Sequence, residues 1–381
     1  MYVAHLTLVD FRSYAAAEVA LEPGATAFIG RNGQGKTNLV EAIDYLSRLG
    51  SHRVASDAPL VRAGADRALV RASVVRDGRQ AMLEIEINPG KSNRARINRS
   101  QLPRARELLG LVRTVVFAPD DLALVKGDPT ERRRFSDDLL VLHRGARYAG
   151  TRSDYDRVLK QRNSLLKTAR GRGSAAESVL STLDVWDERL ARLGAEIMAA
   201  RARLVEELNP LLGKAYEAVA RGASRDDASI TYKPSFSLVA EEGAPRPPGV
   251  DLEAAMLAEI QRRRPDELDR GVSLVGPHRD DLLCSLGEFP VKGYASHGES
   301  WSFALAMKLS SYELLRSTGE DPVLILDDVF AELDSGRRAQ LAELVSGAEQ
   351  VLVTAAVADD IPAGLRGRRF DVVDGSVTPV E

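Results

Sequence analysis

Cysteine, aromatic residues and long apolar runs are scarce in this sequence of 381 residues. The one cysteine, Cys284, excludes an internal disulfide and is typical of a protein from a reducing compartment. Its mostly apolar neighbours predict a buried thiol. No apolar run reaches the roughly 18 residues that a membrane-spanning helix needs. Because the N-terminus also lacks the basic start and apolar core of a signal peptide, we expect a cytoplasmic protein.

Net charge is small as well, at −3, but it is unevenly distributed. Residues 91–172 contain 20 Lys/Arg and 9 Asp/Glu, an excess of +11, which leaves −14 for the rest of the chain. A basic middle between acidic ends indicates a polyanionic partner, although solvated helix faces would give the same count. The composition, 44% hydrophobic and 28% charged, is that of a soluble globular protein, and the length favours two lobes.

The most specific motif follows the apolar run at residues 26–29 and has the spacing G-x-x-x-x-G-K-T. Its glycines let backbone N–H groups turn toward phosphate oxygens, and the helix predicted after it adds a positive dipole end. Lys36 would reach the β- and γ-phosphates, and Thr37 would hold Mg²⁺. The predicted nucleotide-binding residues, here called the phosphate loop, are Gly30, Arg31, Asn32, Gly33, Gln34, Gly35, Lys36 and Thr37.

Two adjacent acids, Asp327 and Asp328, follow the apolar run at residues 322–326. Such a run predicts a buried parallel strand that ends at the nucleotide. Asp327 would orient Mg²⁺, and Asp328 would be the catalytic base that positions the attacking water, together with Lys36. Two acids at a strand end can also be simple turn caps. Asp334 is predicted at the same end of the sheet.

A second anion site is predicted at Ser296 and Gly298, a Ser-x-Gly turn before the helical segment 303–309. The chain's own phosphate loop already serves its own nucleotide. The signature turn, residues 296–299, would therefore grip the γ-phosphate of a nucleotide on a second subunit, which implies an ATP-dependent homodimer. Without the acids at 327–328, a plain helix cap would be the better interpretation.

Periodicity gives a coarse outline of the remaining chain. Residues 69–75 and 81–87 predict a β-hairpin, and residues 230–237 predict a further strand. From Leu183 to Leu204 apolar residues recur at heptad spacing, which predicts either a short coiled-coil arm or a core-facing helix. This helix is expected to end at Pro210, with a second helix at 211–219 and an exposed loop at 243–250.

Together these motifs resemble the ABC-type ATPase heads of SMC proteins, and most closely the bacterial RecF family of recombination mediators. Thr37 and Ser296 are 259 residues apart, more than in a transporter subunit and fewer than in a relative with long coiled-coil arms. The stretches that carry the resemblance, in chain order, are residues 8–14, 30–37, 117–122, 125–129 with 132–137, 159–166, 276–281, 296–299 and 326–334.

The resemblance implies an α/β fold, with an ABC-type P-loop ATPase head formed by residues 1–117 and 271–381. Residues 118–270 would form an inserted, mainly helical lobe that carries a short coiled-coil-like helix. It also implies a weak, DNA-stimulated ATPase with ATP and Mg²⁺ as cofactors. A head-to-tail dimer would clamp DNA at single-strand gaps and junctions. With RecR and RecO it would then promote RecA loading, replication restart and the SOS response.

Several further residues receive roles as hypotheses. Arg12 would lie near the base, Arg53 would sense DNA, and Thr354 and Asp334 would be nucleotide sensors; transporter ATPases keep a histidine where Thr354 stands. The family commonly has Gln where Glu299 stands, and a carboxylate there is expected to point away from the γ-phosphate. The candidate DNA contacts, all from the basic middle, are Arg94, Arg96, Arg99, Arg132, Arg133, Arg134, Arg144 and Arg147.

Three other functions remain open at this point. An ABC transporter ATPase would need a membrane partner and a signature turn closer to the phosphate loop. A DNA-binding scaffold with a structural ATP site would bind DNA equally with and without ATP. A metabolic P-loop kinase is disfavoured by the signature turn.

Overall fold

The computed structural model describes residues 1–169, 176–221, 225–237 and 251–380, so the loop predicted at 243–250 lies outside the described residues. The described strands are β1 Tyr2–Phe11, β2 Tyr14–Ala20, β3 Gly24–Ile29, β4 Ala68–Arg76, β5 Arg79–Ile87, β6 Arg94–Ile97, β7 Ser100–Gln101, β8 Thr114–Phe117, β9 Ala228–Lys233, β10 Asp281–Leu286, β11 Phe289–Pro290, β12 Val323–Asp327, β13 Gln350–Ala355, β14 Arg368–Val373 and β15 Ser376–Val380. The described α-helices are α1 Lys36–Arg48, α2 Ala123–Lys126, α3 Pro129–Arg144, α4 Ala146–Ala169, α5 Ala176–Val219, α6 Leu252–Arg270, α7 Val291–Tyr294, α8 His297–Arg316 and α9 Ser335–Val345.

A six-stranded sheet in the order β15-β14-β3-β13-β12-β8 positions the site. Strands β14, β3, β13, β12 and β8 run parallel, so their carboxyl ends meet at one edge. The phosphate loop leaves β3 at that edge, and Asp327 in β12 lies in register with Thr354 in β13. This is the edge at which open α/β sheets bind ligands.

A second, antiparallel sheet in the order β2-β1-β4-β5-β6-β7 covers the other side of α1. The predicted hairpin is confirmed as β4 and β5, joined through Asp77 and Gly78. Both turn residues have positive φ, 48° and 70°, as the tight turns favoured between antiparallel strands require.

Helix α5 is the central helix of the helical region and packs on α4, α6, α8 and β9. Its heptad residues face this core, with Leu183, Leu190 and Leu204 fully buried, so the core-facing interpretation is confirmed. The predicted end at Pro210 is wrong, because α5 continues through this proline to Val219. Apolar side chains on both sides, including Leu208 and Leu212, are buried and hold the two halves in one helix despite the lost backbone hydrogen bond.

A small third sheet, β11-β10-β9, crosses the predicted lobe boundary at residue 270. Strand β10 pairs with β9 along its length, with Asp281 opposite Lys233 and Leu286 opposite Ala228. The predicted boundary therefore divides one structural unit, because this pairing joins residues on either side of it. Cys284 in β10 is buried, as expected, and burial raises the pKa of its thiol to about 12. Among the described helices, none is both long and apolar enough to cross a membrane.

Candidate nucleotide-binding site

Glycine is required where the phosphate loop turns into α1. Gly35 has a φ of 105°, and a Cβ there would come within 2.8 Å of the Tyr14 hydroxyl and 2.9 Å of Ser13 Oγ. The Tyr14 hydroxyl donates to the Gly35 carbonyl at 3.0 Å, which fixes the start of the helix. The loop can therefore keep its N–H groups turned inward only with glycine at this position.

The Lys36 ammonium lies across its own loop. It donates to the Arg31 carbonyl at 3.3 Å and to Asn32 Oδ1 at 3.4 Å, and it is 4.0 Å from Asp328 Oδ2. The residue is 3% exposed, so its charge is directed into the site and not into solvent. A lysine held this way is suited to a phosphate chain that would replace its loop partners.

The two acids and two threonines form one hydrogen-bonded group at the sheet edge. Asp327 Oδ1 accepts from Thr37 Oγ1 at 2.9 Å and from Thr354 Oγ1 at 2.7 Å. The Thr354 hydroxyl in turn accepts from the Asp328 backbone N–H at 2.9 Å. Asp328 has a φ of 50°, a strained conformation for a residue with a side chain, which this bond supports.

These oxygens fit a magnesium ion. Mg²⁺ prefers hard oxygen ligands, and in nucleotide sites it takes one or two from the protein and the others from phosphates and water. Thr37 and Asp327 would supply them; the described residues contain no cluster of three or more His, Cys, Asp or Glu that could hold a metal alone. Burial raises the pKa of Asp327, and the hydrogen bonds from Thr354 and Thr37 oppose that shift.

Thr354 differs from its predicted role. It is 1% exposed, and its one hydroxyl proton is given to Asp327. A direct γ-phosphate contact would need that same proton. The geometry instead makes Thr354 the residue that holds Asp327 and Asp328 in place.

The signature turn is the N-terminal cap of α8. Ser296 Oγ accepts from the Glu299 N–H at 3.2 Å, and the Glu299 carboxylate accepts from the Ser296 N–H at 2.8 Å, a reciprocal capping box. Glu299 also pairs with Arg225 at 3.0 Å. The hydrogen bond from the Ser296 N–H, with further hydrogen bonds and the Arg225 charge, lowers the pKa of Glu299. Its negative charge is therefore compensated within this chain.

Arg337 lies against the signature turn and was missed by sequence reasoning. A Cβ on Gly298 would come within 2.6 Å of Arg337 Nη2, so only glycine admits this contact without a shift of the guanidinium. Asp334 caps α9 by accepting from the Arg337 N–H at 2.9 Å, and it also pairs with the Arg337 side chain. The Asp-x-x-Arg spacing was the available signal. No hydrogen bond or ion pair between described residues joins this turn to the phosphate loop of the same chain.

Glu41, also missed, brings together the two arginines predicted as sensors. This fully buried carboxylate accepts from Arg12 at 2.7 and 2.9 Å and from Arg53 at 3.2 Å. Ser51 donates to it as well. Burial would raise the pKa of Glu41, but the hydrogen bonds from Arg12 and Ser51 and the two arginine charges lower it overall.

The predicted DNA contacts fall into two groups. Arg99, Arg144 and Arg147 are exposed, and their side chains make no hydrogen bond or ion pair with another described residue. Arg94 is 62% exposed and lies 3.8 Å from Glu86, whereas Arg96 pairs with Glu84. The contact of Arg94 is long and on the surface, so it is weak and Arg94 can exchange partners, whereas the carboxylate that pairs with Arg96 is buried.

The three arginines in the first half of α3, Arg132, Arg133 and Arg134, are held by bonds within the protein. Arg132 is 6% exposed and forms a two-pronged pair with Asp281 at 2.8 and 2.9 Å, with a further bond to the Gly127 carbonyl. Its burial and these bonds give Arg132 a structural role and leave little of its side chain accessible to DNA. Arg133 donates to the Asp280 carbonyl at 2.8 Å, and Arg134 to the carbonyl of residue 51.

Comparison with known proteins agrees with this geometry. The family model described as the RecF/RecN/SMC N terminal domain matches residues 2–362. The DNA replication and repair protein RecF of Nocardioides sp. is 66% identical over 422 aligned residues and is covered to 99%, as is this chain. That of Streptomyces avermitilis is 59% identical, with both chains covered completely. This chain belongs to the RecF family.

Solved structures support the same family. The recombination mediator protein RecF with ATPrS, described in the RecFOR pathway, superposes with a TM-score of 0.86 at 28% identity, covering 100% of this chain and 98% of that one. The corresponding ATP structure gives 0.85 at 27% identity. The Smc head domain of Pyrococcus furiosus, at 17% identity and a TM-score of 0.52, shares the fold alone. The fold is therefore that of an ABC-type ATPase head, as predicted.

Proposed function

We propose that this chain is an ATP-dependent DNA-binding protein of recombinational DNA repair and replication restart. The observation that carries the proposal is the meeting of Thr37, Asp327 and Asp328 at one sheet edge beneath a glycine loop. The relatives named DNA replication and repair protein RecF, and the RecF structures with ATP and ATPrS, support it.

The chemistry is ATP hydrolysis. The phosphate loop binds the triphosphate, Thr37 and Asp327 hold Mg²⁺, and Lys36 contacts the β- and γ-phosphates. Asp328 positions the attacking water and accepts a proton from it. Hydrolysis is slow and is stimulated by DNA.

The active form is a head-to-tail dimer in which each signature turn completes the partner's site. Ser296 Oγ already accepts from the Glu299 N–H, and its hydroxyl proton stays available for a phosphate oxygen. The start of α8 adds its dipole, and Arg337 adds a positive charge beside Gly298. Within its own chain the turn has no hydrogen bond to a described residue of the phosphate loop, which supports action on a second subunit.

The dimer closes on DNA at single-strand gaps and junctions and reopens after hydrolysis. Contacts to the backbone come from the exposed arginines of the basic middle, so binding is independent of sequence and sensitive to salt. RecR and RecO act with the closed dimer, and RecA is loaded downstream, which also leads to SOS induction.

Two substitutions test the proposal. Lys36→Met is expected to abolish ATP-dependent dimers measured by light scattering, and Asp328→Asn is expected to trap them. Lys160→Met, an exposed lysine of α4, and Asp77→Asn, an aspartate also at positive φ, are the matched controls. An Asp328→Asn protein that stays monomeric in saturating ATP contradicts the dimer. Equal DNA affinity of wild type and Lys36→Met, with and without ATP, contradicts ATP-dependent binding.

A further inference from the structure

Three exposed arginines line one groove between α4 and α5. Arg144 ends α3, Arg147 lies in the first turn of α4, and Arg203 lies in the middle of α5. The groove has a volume of about 700 Å³. Nothing in the sequence pattern singled out Arg203, because it is 56 residues from Arg147 and is joined to it only by the fold.

The backbone brings Arg144 and Arg147 together. Gly145, between α3 and α4, has φ 66° and ψ −150°, a conformation that is essentially restricted to glycine. The chain therefore turns sharply there, and the last residue of one helix and the first turn of the next face the same space.

The α5 wall has a regular spacing. Glu196, Ala199, Ala200 and Arg203 follow one another at i, i+3, i+4 and i+7, so they share one face of the helix. Because the side chains of the two alanines are small, the groove is wide enough for a bulky chain to reach the guanidinium groups. The lining acid, Glu196, accepts from Thr151 at 3.2 Å.

None of the three arginine side chains forms a hydrogen bond or ion pair with another residue of the described ranges. Most other arginines of this region are paired: Arg132 with Asp281, Arg152 with Asp137 and Arg201 with Asp137. The positive charge of Arg144 also reaches its neighbour His143, whose pKa is lowered mainly by burial and further by Arg144 and Arg113. Three guanidinium groups without an ion-pair partner, against the single lining carboxylate of Glu196, give the groove a formal charge of +2, which attracts an anion with several charges.

We propose that Arg144, Arg147 and Arg203 form a binding groove for the phosphodiester backbone of nucleic acid, which we call the arginine groove. The inference rests on the proposed DNA-binding function and adds its location and a third contact. Arginine is suited to this ligand because its planar fork bonds to phosphate oxygens in pairs. The groove has no large apolar side chain in its lining apart from the buried Tyr148, and such a charged lining favours a polyanion over the apolar centre of a protein interface.

The test measures affinity for a duplex with a single-strand gap at several salt concentrations, with ATP present. Arg203→Ala is expected to weaken binding and to reduce the slope of log affinity against log salt by about 1, because one phosphate contact is lost. Arg144→Ala and Arg147→Ala should each do the same, and Arg203→Lys should keep most of the affinity. The control is Arg157→Ala, an exposed arginine of α4 outside the groove, which should bind as wild type does.

Several results would overturn the proposal that the arginine groove binds nucleic acid. Unchanged affinity and slope in Arg203→Glu with wild-type thermal stability would do so, as would an equal loss in Arg157→Ala. Inorganic phosphate or polyglutamate that displaces DNA better than chloride does, at equal ionic strength, would identify a site for free anions or an acidic protein instead. Failure of the proposed function would show in the wild-type chain, as no binding of the gapped duplex with ATP or as equal binding without ATP. Failure of the groove would show only in the arginine variants, so the two failures are distinguishable.

Discussion

The Thr354 hydroxyl bonds to the Asp327 carboxylate at 2.7 Å and, through its lone pair, receives the Asp328 N–H at 2.9 Å. One side chain therefore links the residue expected to orient Mg²⁺ to the residue expected to position water. The hydrogen bond from the Asp328 N–H also stabilises the left-handed backbone conformation of this aspartate. We therefore expect Thr354, in β13, to act through the two aspartates and not through the phosphate.

Thr354→Val tests this role because valine keeps the shape and removes the hydroxyl. We expect ATP binding to persist and hydrolysis to fall, with a loss of about 1–3 kcal/mol in the free energy of unfolding because the partly buried Asp328 N–H and the buried Asp327 carboxylate each lose a hydrogen-bond partner. Single-turnover hydrolysis and nucleotide titration measure the two effects separately. Thr354→Ser should restore hydrolysis; a valine variant with the wild-type rate would refute the positioning role.

Glu41→Gln should weaken the hydrogen bonds that Arg12 and Arg53 donate to this side chain of α1. The change keeps the shape of the side chain and removes the charge that Arg12 and Arg53 share. We expect the free energy of unfolding in urea to fall by about 1–3 kcal/mol, since Glu41 is buried and bonded to charged groups. Glu22→Gln, which breaks the exposed pair with Arg368, is the control and should cost less than about 1 kcal/mol. If the two substitutions lower the free energy of unfolding equally, the buried Glu41 carboxylate stabilises the fold no more than an exposed ion pair does.

Sequence and structure agree best where a function depends on neighbours along the chain. The phosphate loop, the acids at 327–328 and the Asp77 turn are all local patterns. Glu41 was missed because its partners come from other elements. Arg337 was missed because its contact with Gly298 depends on the fold, although its spacing to Asp334 is local. The predicted helix end at Pro210 was wrong because tertiary packing continues α5 through the proline. Nothing in the sequence indicated that β9 pairs with a strand about 50 residues further on, across the boundary predicted at residue 270.

Gly298→Ala should separate dimerisation from folding. The added methyl group would lie 2.6 Å from Arg337 Nη2, so it displaces that guanidinium and narrows the space before the start of α8. We expect ATP-dependent dimers in light scattering to be lost while monomer thermal stability changes little, because alanine favours a helix. Gly213→Ala, in α5 with open space around it, is the matched control and should dimerise normally. Normal dimers in Gly298→Ala would contradict the role of the turn between subunits.

His278 makes the stability of the helical region depend on pH. Its Nε2 lies 3.3 Å from the Ser273 carbonyl, which can only accept, so Nε2 carries the proton and Nδ1 accepts from the Tyr155 hydroxyl at 2.7 Å. Burial, followed by the charges of nearby arginines, lowers the pKa of His278 to about 4, against an ordinary value of 6.5. Between these values the unfolded chain binds a proton that the folded chain does not, so stability falls as pH falls from 6.5 toward 4.

His278→Gln should remove this dependence, since the glutamine amide can still donate to Ser273 and accept from Tyr155. Between pH 7 and pH 5 the wild type should lose about 2 kcal/mol more than the variant, because one pKa unit corresponds to about 1.4 kcal/mol. Urea unfolding at the two pH values measures this difference. The contributions of the Asp and Glu residues cancel in it, because both proteins contain the same ones. His5→Gln, a change on β1 far from this contact, should follow the wild type. If His278→Gln also follows it, folding does not lower the pKa of His278, and the pH dependence has another origin.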